Sequence, residues 1–207
     1  FIIMKHELLL TLATLILLIA EITINNKKRI IPFAIILFGG YTIYGFFGNN
    51  TGEIFGGMYQ NSALIILMKN ILNIGVFIIL LQASTWLLKE KNKTKISEFF
   101  ILLFSTLIGM NFMISSGHFL MFYLGLELAT IPIAALVAYN TSDAKSSEAG
   151  LKLIMSAAFS SAIMLFGISL LYGQSGSLYF SEMISTNMGT ALAVLAFIMF
   201  FSGLAFK

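Results

Sequence analysis

The stretch from His118 to Tyr139, HFLMFYLGLELATIPIAALVAY, constrains this chain more than any other. As a helix it is long enough to cross a bilayer core of about 30 Å. Near its middle stands an acid, Glu127. A charge at the centre of a spanning helix costs about 2.5–3.5 kcal/mol on insertion scales. A simple anchor would carry Leu there. Glu127 is therefore a candidate functional residue, and it needs a partner from elsewhere in the chain. Pro132 follows five residues later. It removes one backbone donor and crowds the carbonyl of Leu128. A kink just past the acid is expected, with a carbonyl freed to meet water or a side chain.

Composition supports a membrane setting for that stretch. The chain is 58% hydrophobic and 10% charged, with a mean hydropathy of +0.95, whereas a soluble domain is about a quarter charged. The expected fold class is all-α, a polytopic transmembrane helix bundle. The apolar runs do not alternate with polar residues, which argues against a β-barrel. With no cysteine, the chain offers no thiolate for an iron–sulfur cluster, no cysteine nucleophile and no disulfide. Two histidines do not make a histidine-rich metal or haem site. The net charge of +3 says little about nucleic acid, because the basic residues fall between apolar runs. The chain starts at Phe1 and stops at Lys207 inside an apolar run, without a recognisable cleaved leader. It reads as a fragment of a longer protein, bacterial by its Ile, Lys and Asn usage.

Seven spans are expected by length and polarity. They run over residues 7–24, 30–47, 62–88, 98–115, 118–139, 150–173 and 190–207. The segments 48–61, 140–148 and 174–189 are expected as loops. Lys27, Lys28, Arg29, Lys89, Lys91, Lys93, Lys95 and Lys145 all fall on one side of this arrangement. The opposite side holds only Lys5. The positive-inside rule then places the N-terminus outside. Trp86 and the tyrosines near span ends, Tyr41, Tyr44, Tyr139, Tyr172 and Tyr179, fit an interfacial aromatic belt.

Besides acids at span ends (Glu7, Glu21 and Glu98), four charges lie within spans: Lys69, Glu127, Lys152 and Lys207. Lys69 is two turns from an outer end, where its stem can carry the amine to the surface. Lys152 can pair with Glu148 at i, i+4. Lys207 ends an eighteen-residue span and, on a straight helix, lies about 27 Å along it. Tyr123, Glu127 and Thr130 share one face of span five. Lys152, Ser156 and Ser160 line a face of span six, either as a wet stripe or as part of a small-residue packing surface. Gly203, one turn before Lys207, can loosen that helix. His118 is an interfacial residue or a proton-entry relay. Burial opposes charge on an acid or an amine, and a close opposite charge supports it. Such pairs suit proton movement, not bond making; the sequence carries no nucleophile–base pair, phosphate loop or metal-ligand cluster, so no catalytic residue is assigned.

Tyr123–Pro132 (YLGLELATIP) resembles the fifth-helix motif of the antiporter-like subunit N of proton-pumping NADH:quinone oxidoreductase, respiratory complex I. SEAGLK at 147–152, AFSSA at 158–162 and LYGQSG at 171–176 resemble its sixth helix and following loop. SGLAFK at 202–207 resembles the start of its broken seventh helix. The sister subunits and cation/proton antiporters usually carry Trp before the helix-five Glu; Leu126 stands there, which favours subunit N. The resemblance implies an antiporter-like fold with inverted repeats, of which this chain holds the first part. Residues 1–95 would be peripheral helices and 96–207 the start of the first repeat. It implies proton transfer by Glu127, Lys152 and Lys207, with Lys152 between the other two and Lys207 at a mid-membrane break. Tyr123, Ser156, Ser160, Lys69 and His118 are possible supporting residues, and Pro132 the kink. NADH, FMN, iron–sulfur clusters and quinone are expected in other subunits, and the expected partners are those membrane subunits and lipid in the inner membrane. A cation/proton antiporter subunit, or a structural membrane subunit whose charges only fix packing, are the alternatives.

Overall fold

The computed structural model describes residues 2–23, 29–47, 51–88, 96–185 and 190–207. Among them are eight α-helices: α1 (Lys5–Thr23), α2 (Ile30–Gly45), α3 (Ala63–Leu87), α4 (Ile96–Ile114), α5 (Phe119–Val137), α6 (Ala144–Ser175), α7 (Phe180–Ser185) and α8 (Ala191–Phe206). Five of these, α1, α3, α4, α5 and α6, are long and apolar enough to cross a membrane. The sixteen-residue α2 and α8 are shorter apolar helices, about 24 Å long each. The seven expected spans are thus five full-length helices and two short ones.

Local chemistry sets several helix ends. Ser62 caps α3 by accepting from the Ile65 amide at 3.3 Å, and Thr190 caps α8 from Ala193 at 3.3 Å. Asp143 accepts from Lys145 N at 3.0 Å and starts α6 six residues before the expected Gly150. The segment expected as a linker up to Glu148 therefore belongs largely to the helix. Gly176, with φ of 71°, ends α6 in a left-handed conformation that favours glycine.

Two expected loops carry structure. Within residues 48–61, β1 (Gly52–Ile54) pairs antiparallel with β2 (Tyr59–Asn61). Phe55, Gly56 and Gly57 turn the hairpin at positive φ. Within residues 174–189 lies α7. Strict period and length miss both because each is short and depends on tertiary contacts. The hairpin, the α4–α5 turn and the loop before α7 are stitched together on one face. Gln60 N donates to Ser115 O, Gly117 N to Met58 O, Phe119 N to Leu178 O, and Phe180 N to Gly117 O. A side chain at Gly117 would run into Gly57 O, so glycine is what permits this seam. Of the basic loop residues, Lys27, Lys28, Lys89, Lys91, Lys93 and Lys95 lie outside the described residues.

Two hydrophobic cores result. The first joins α1–α4 through Leu10, Leu17, Phe38, Leu80, Phe100 and Phe104. The second joins α5, α6, α7 and α8 through Phe119, Leu126, Met164, Ile168, Met183 and Phe200. Helix α4 links them: a Cβ at Gly109 would fall 2.4 Å from Ala129 N, and one at Gly125 would fall 2.6 Å from Met113 N. Outward faces are apolar, with Ile22, Ile36, Leu124 and Met155 strongly exposed, while polar side chains collect inside, as a bilayer requires.

Candidate functional site

Helix α5 runs through Pro132 to Val137 and carries Glu127 near its midpoint. Thr130, one turn on, turns its hydroxyl back to the Leu126 carbonyl at 2.9 Å. Helix α8 crosses α6 at close range. A Cβ at Gly203 would meet Met164 N at 2.6 Å and Ser160 O at 2.7 Å, and one at Gly167 would meet Phe200 N at 2.5 Å. Gly203 is therefore a packing contact, not a point of loosening. This approach delivers Lys207, just past the end of α8, to the level of Glu127.

There the Lys207 ammonium donates to Glu127 Oε1 and, at 2.8 Å, to Ser161 Oγ. Ser161 Oγ itself lies in hydrogen-bonding contact with Glu127 Oε1 and is 2.8 Å from the Ala157 carbonyl. Lys207 is nearly buried, at 4% side-chain exposure, and Glu127 keeps 21%. An acid, an amine and a hydroxyl from three helices thus converge. The straight-helix depth for Lys207 gives way to a mid-helix position relative to α5.

The other residues singled out in the sequence occupy different settings. Lys152 forms an exposed i, i+4 pair with Glu148 at 2.6 Å, with exposures of 73% and 63%. Nine residues separate it from Ser161, about two and a half turns, which puts the two on opposite faces of α6. Ser161, not Lys152, sits between Glu127 and Lys207. Ser156 and Ser160 donate to carbonyls of their own helix, Leu153 and Ala157. Tyr123 packs on the second core one turn before Glu127. His118 caps α5, its Nδ1 accepting from Leu120 N at 3.2 Å, with its ring edge-on to Tyr179 at 4.8 Å. Burial lowers its affinity for a proton, which suits the accepting role.

Lys69 does not reach the surface. It is fully buried and meets Glu7 Oε1 at 2.5 Å. It also donates to Tyr59 Oη at 2.9 Å, and Tyr59 Oη lies 2.9 Å from Glu7 Oε2. Burial, and then the nearby Glu7 charge, raise the Tyr59 hydroxyl well above its ordinary pKa, which keeps it a donor to the carboxylate. Glu7 is 1% exposed. Its depth was hidden in the sequence, where it stands at a span end. The available signal was Lys69 itself, an intramembrane amine that requires an acid.

Residues 116–207 match a family model described as NADH:quinone oxidoreductase/Mrp antiporter, TM. The full chain aligns with NADH-quinone oxidoreductase subunit N of Phocaeicola vulgatus at 45% identity over 206 residues, 99% of this chain and 43% of that protein. The chain is a homologue of the antiporter-like membrane subunits of NADH:quinone oxidoreductase. Subunit N of Azobacteroides pseudotrichonymphae is 39% identical over 215 residues, covering 100% of this chain and 44% of that protein. The chain therefore spans less than half the length of these curated subunit N relatives. Relatives that carry the subunit N name favour this assignment over the cation/proton antiporter alternative.

The fold is similar to chains in two solved structures. One is the membrane-bound sulfane sulfur reductase, an archaeal respiratory membrane complex, at TM-score 0.77 and 19% identity, covering 99% of this chain and 44% of that one. The other is respiratory complex I from Thermus thermophilus with bound aureothin, at TM-score 0.70 and 19% identity, covering 97% and 43%. The antiporter-like helical bundle expected from the sequence is the one observed.

Proposed function

We propose that this chain forms part of a proton-translocating membrane subunit of NADH:quinone oxidoreductase, driven by quinone reduction elsewhere in the complex. The observation that carries this reading is the Glu127–Lys207 contact at mid-helix depth, with Ser161 bonded to both. A proton arriving at Glu127 cancels its charge and removes most of the attraction that holds Lys207. The ammonium is then free to turn to another acceptor or to pass a proton on. Loss of that proton from Glu127 restores the pair. Ser161 bonds to either state, because a hydroxyl both donates and accepts. Two positions of one lysine, selected by one proton, are the elements of a charge-driven switch.

Lys152 is the third proposed proton-transfer residue. Its position on the outer face of α6 directs it toward a neighbouring helix rather than toward Glu127. Tyr123 and the His118 end of α5 flank the route; Ser156 and Ser160 line α6 beside it. On this reading NADH, FMN, iron–sulfur clusters and quinone are held by other subunits, and the chain sits in the inner membrane among the membrane subunits of the complex, with its N-terminus outside. Residues 1–95 form a peripheral unit, and residues 96–207 begin the first antiporter-like repeat. The test is Lys207→Met in inverted membrane vesicles. NADH-driven proton uptake is expected to fall while the complex still assembles; uptake equal to wild type contradicts the role of the pair.

A further inference from the structure

The first core contains polar groups that its own protein atoms do not satisfy. Asn73 and Asn111 are each 0% exposed, His6 is 1% exposed and Tyr41 6%. Among the described residues, both amide atoms of Asn73, both of Asn111, both ring nitrogens of His6 and the Tyr41 hydroxyl find no hydrogen-bond partner. A buried polar group left bare is costly, and such groups in native proteins are almost always paired.

These groups belong together. The Tyr41 hydroxyl lies beside Asn73 of α3 and Asn111 of α4 but makes no well-formed hydrogen bond to either. His6 is next to Glu7 in sequence, and its ring stands edge-on to Tyr41 with centroids 6.2 Å apart. Asn73 follows Lys69 by one helical turn, on the same face of α3. Gly45 makes room for the arrangement: a Cβ there would fall 2.7 Å from Asn70 Oδ1 and 3.1 Å from the His6 ring. The cluster therefore runs from the Glu7–Lys69 pair to Asn111, across four helices.

We propose that α1–α4 enclose an ordered water cluster, bound by Asn73, Asn111, Tyr41 and His6, that hydrates the Glu7–Lys69 pair from inside the lobe. Buried waters typically make about three hydrogen bonds to groups of this kind. The amides supply both donors and acceptors, Tyr41 supplies a hydroxyl, and neutral His6 supplies one of each. Such a cluster gives the closed ion pair a polar contact that helix packing alone does not provide. The inference stands on the first lobe alone, and it survives if the Glu127–Lys207 pair proves purely structural.

Two measurements on the protein in its assembled membrane complex test it. A cryo-EM map fine enough to resolve water is expected to show density bridging Asn73 and Asn111 to Tyr41 or His6. Side chains that bond one another directly, with no density between them, overturn the proposal. Radiolytic footprinting in H₂¹⁸O labels side chains beside bound water. Tyr41 is expected to take up label roughly tenfold faster than Phe104, which is buried in the same core but packed on apolar groups. Equal labelling of the two overturns the proposal.

Discussion

In the α1–α4 lobe, Lys69 and Glu7 retain side-chain exposures of 0% and 2%; in the α5–α8 lobe, Lys207 and Glu127 retain 4% and 21%. Both are lysine–glutamate pairs between helices, but they are held differently. The first is clamped by Tyr59, which the hairpin places over it, and every part of it is enclosed. The second hangs on a helix crossing and one serine, and its acid keeps an open flank. In the enclosed pair both carboxylate oxygens are bonded, Oε1 to Lys69 and Oε2 to Tyr59. On the proposed function, the second pair exchanges a proton. Burial alone therefore does not separate the two pairs; on the proposed function, the hold on the acid does.

The largest effect should therefore appear on stability in the first lobe. Lys69→Met leaves Glu7 buried without its counter-charge and is expected to cost about 3–5 kcal/mol. Thermal unfolding of the detergent-purified protein, and its yield in membranes, should both fall. Adding Glu7→Gln should recover most of the loss. A single variant as stable as wild type breaks the comparison. Next comes the seam between the lobes. Gly125→Val places side-chain atoms against Met113 N and Gly109 O, at 2.6 and 2.9 Å from the first added carbon, and should destabilise by about 1–3 kcal/mol. Gly75, where an added Cβ meets nothing within 4 Å, is the control: Gly75→Ala should leave the melting temperature unchanged or raised. Smallest is Lys152→Gln. Its partner is an exposed i, i+4 glutamate, so the stability change should stay below about 0.5 kcal/mol. Any fall in proton uptake by that variant then reports on transfer rather than folding, which sharpens the contrast between the lobes.

The sequence carried much of this, unevenly. Glu127 was legible because a central acid has a cost that only function or pairing offsets. The helices were legible because apolar runs of this length have few alternatives. Lys207 as its partner came from the family motif; a straight-helix measure pointed it toward the surface, because depth in a bundle depends on where neighbouring helices cross. Glu7 looked like a span-end acid because nothing local shows that residues 52–61 fold into a hairpin over it. Ser161 does not stand out in the sequence, where Ser156 and Ser160 match Lys152 in spacing. The face that mattered was set by Gly167 and Gly203, which bring α8 onto α6. The distance of Lys69 from a span end points it to the surface, a rule that fails when an acid lies within reach inside.

The most direct test of the central claim is NADH-driven proton uptake by inverted vesicles carrying Glu127→Gln, read beside quinone reduction and complex assembly. Normal assembly is expected, with proton uptake and reductase activity both collapsed. Normal assembly with unchanged proton uptake per NADH would contradict that claim, and would leave the open pair as a packing device like the closed one.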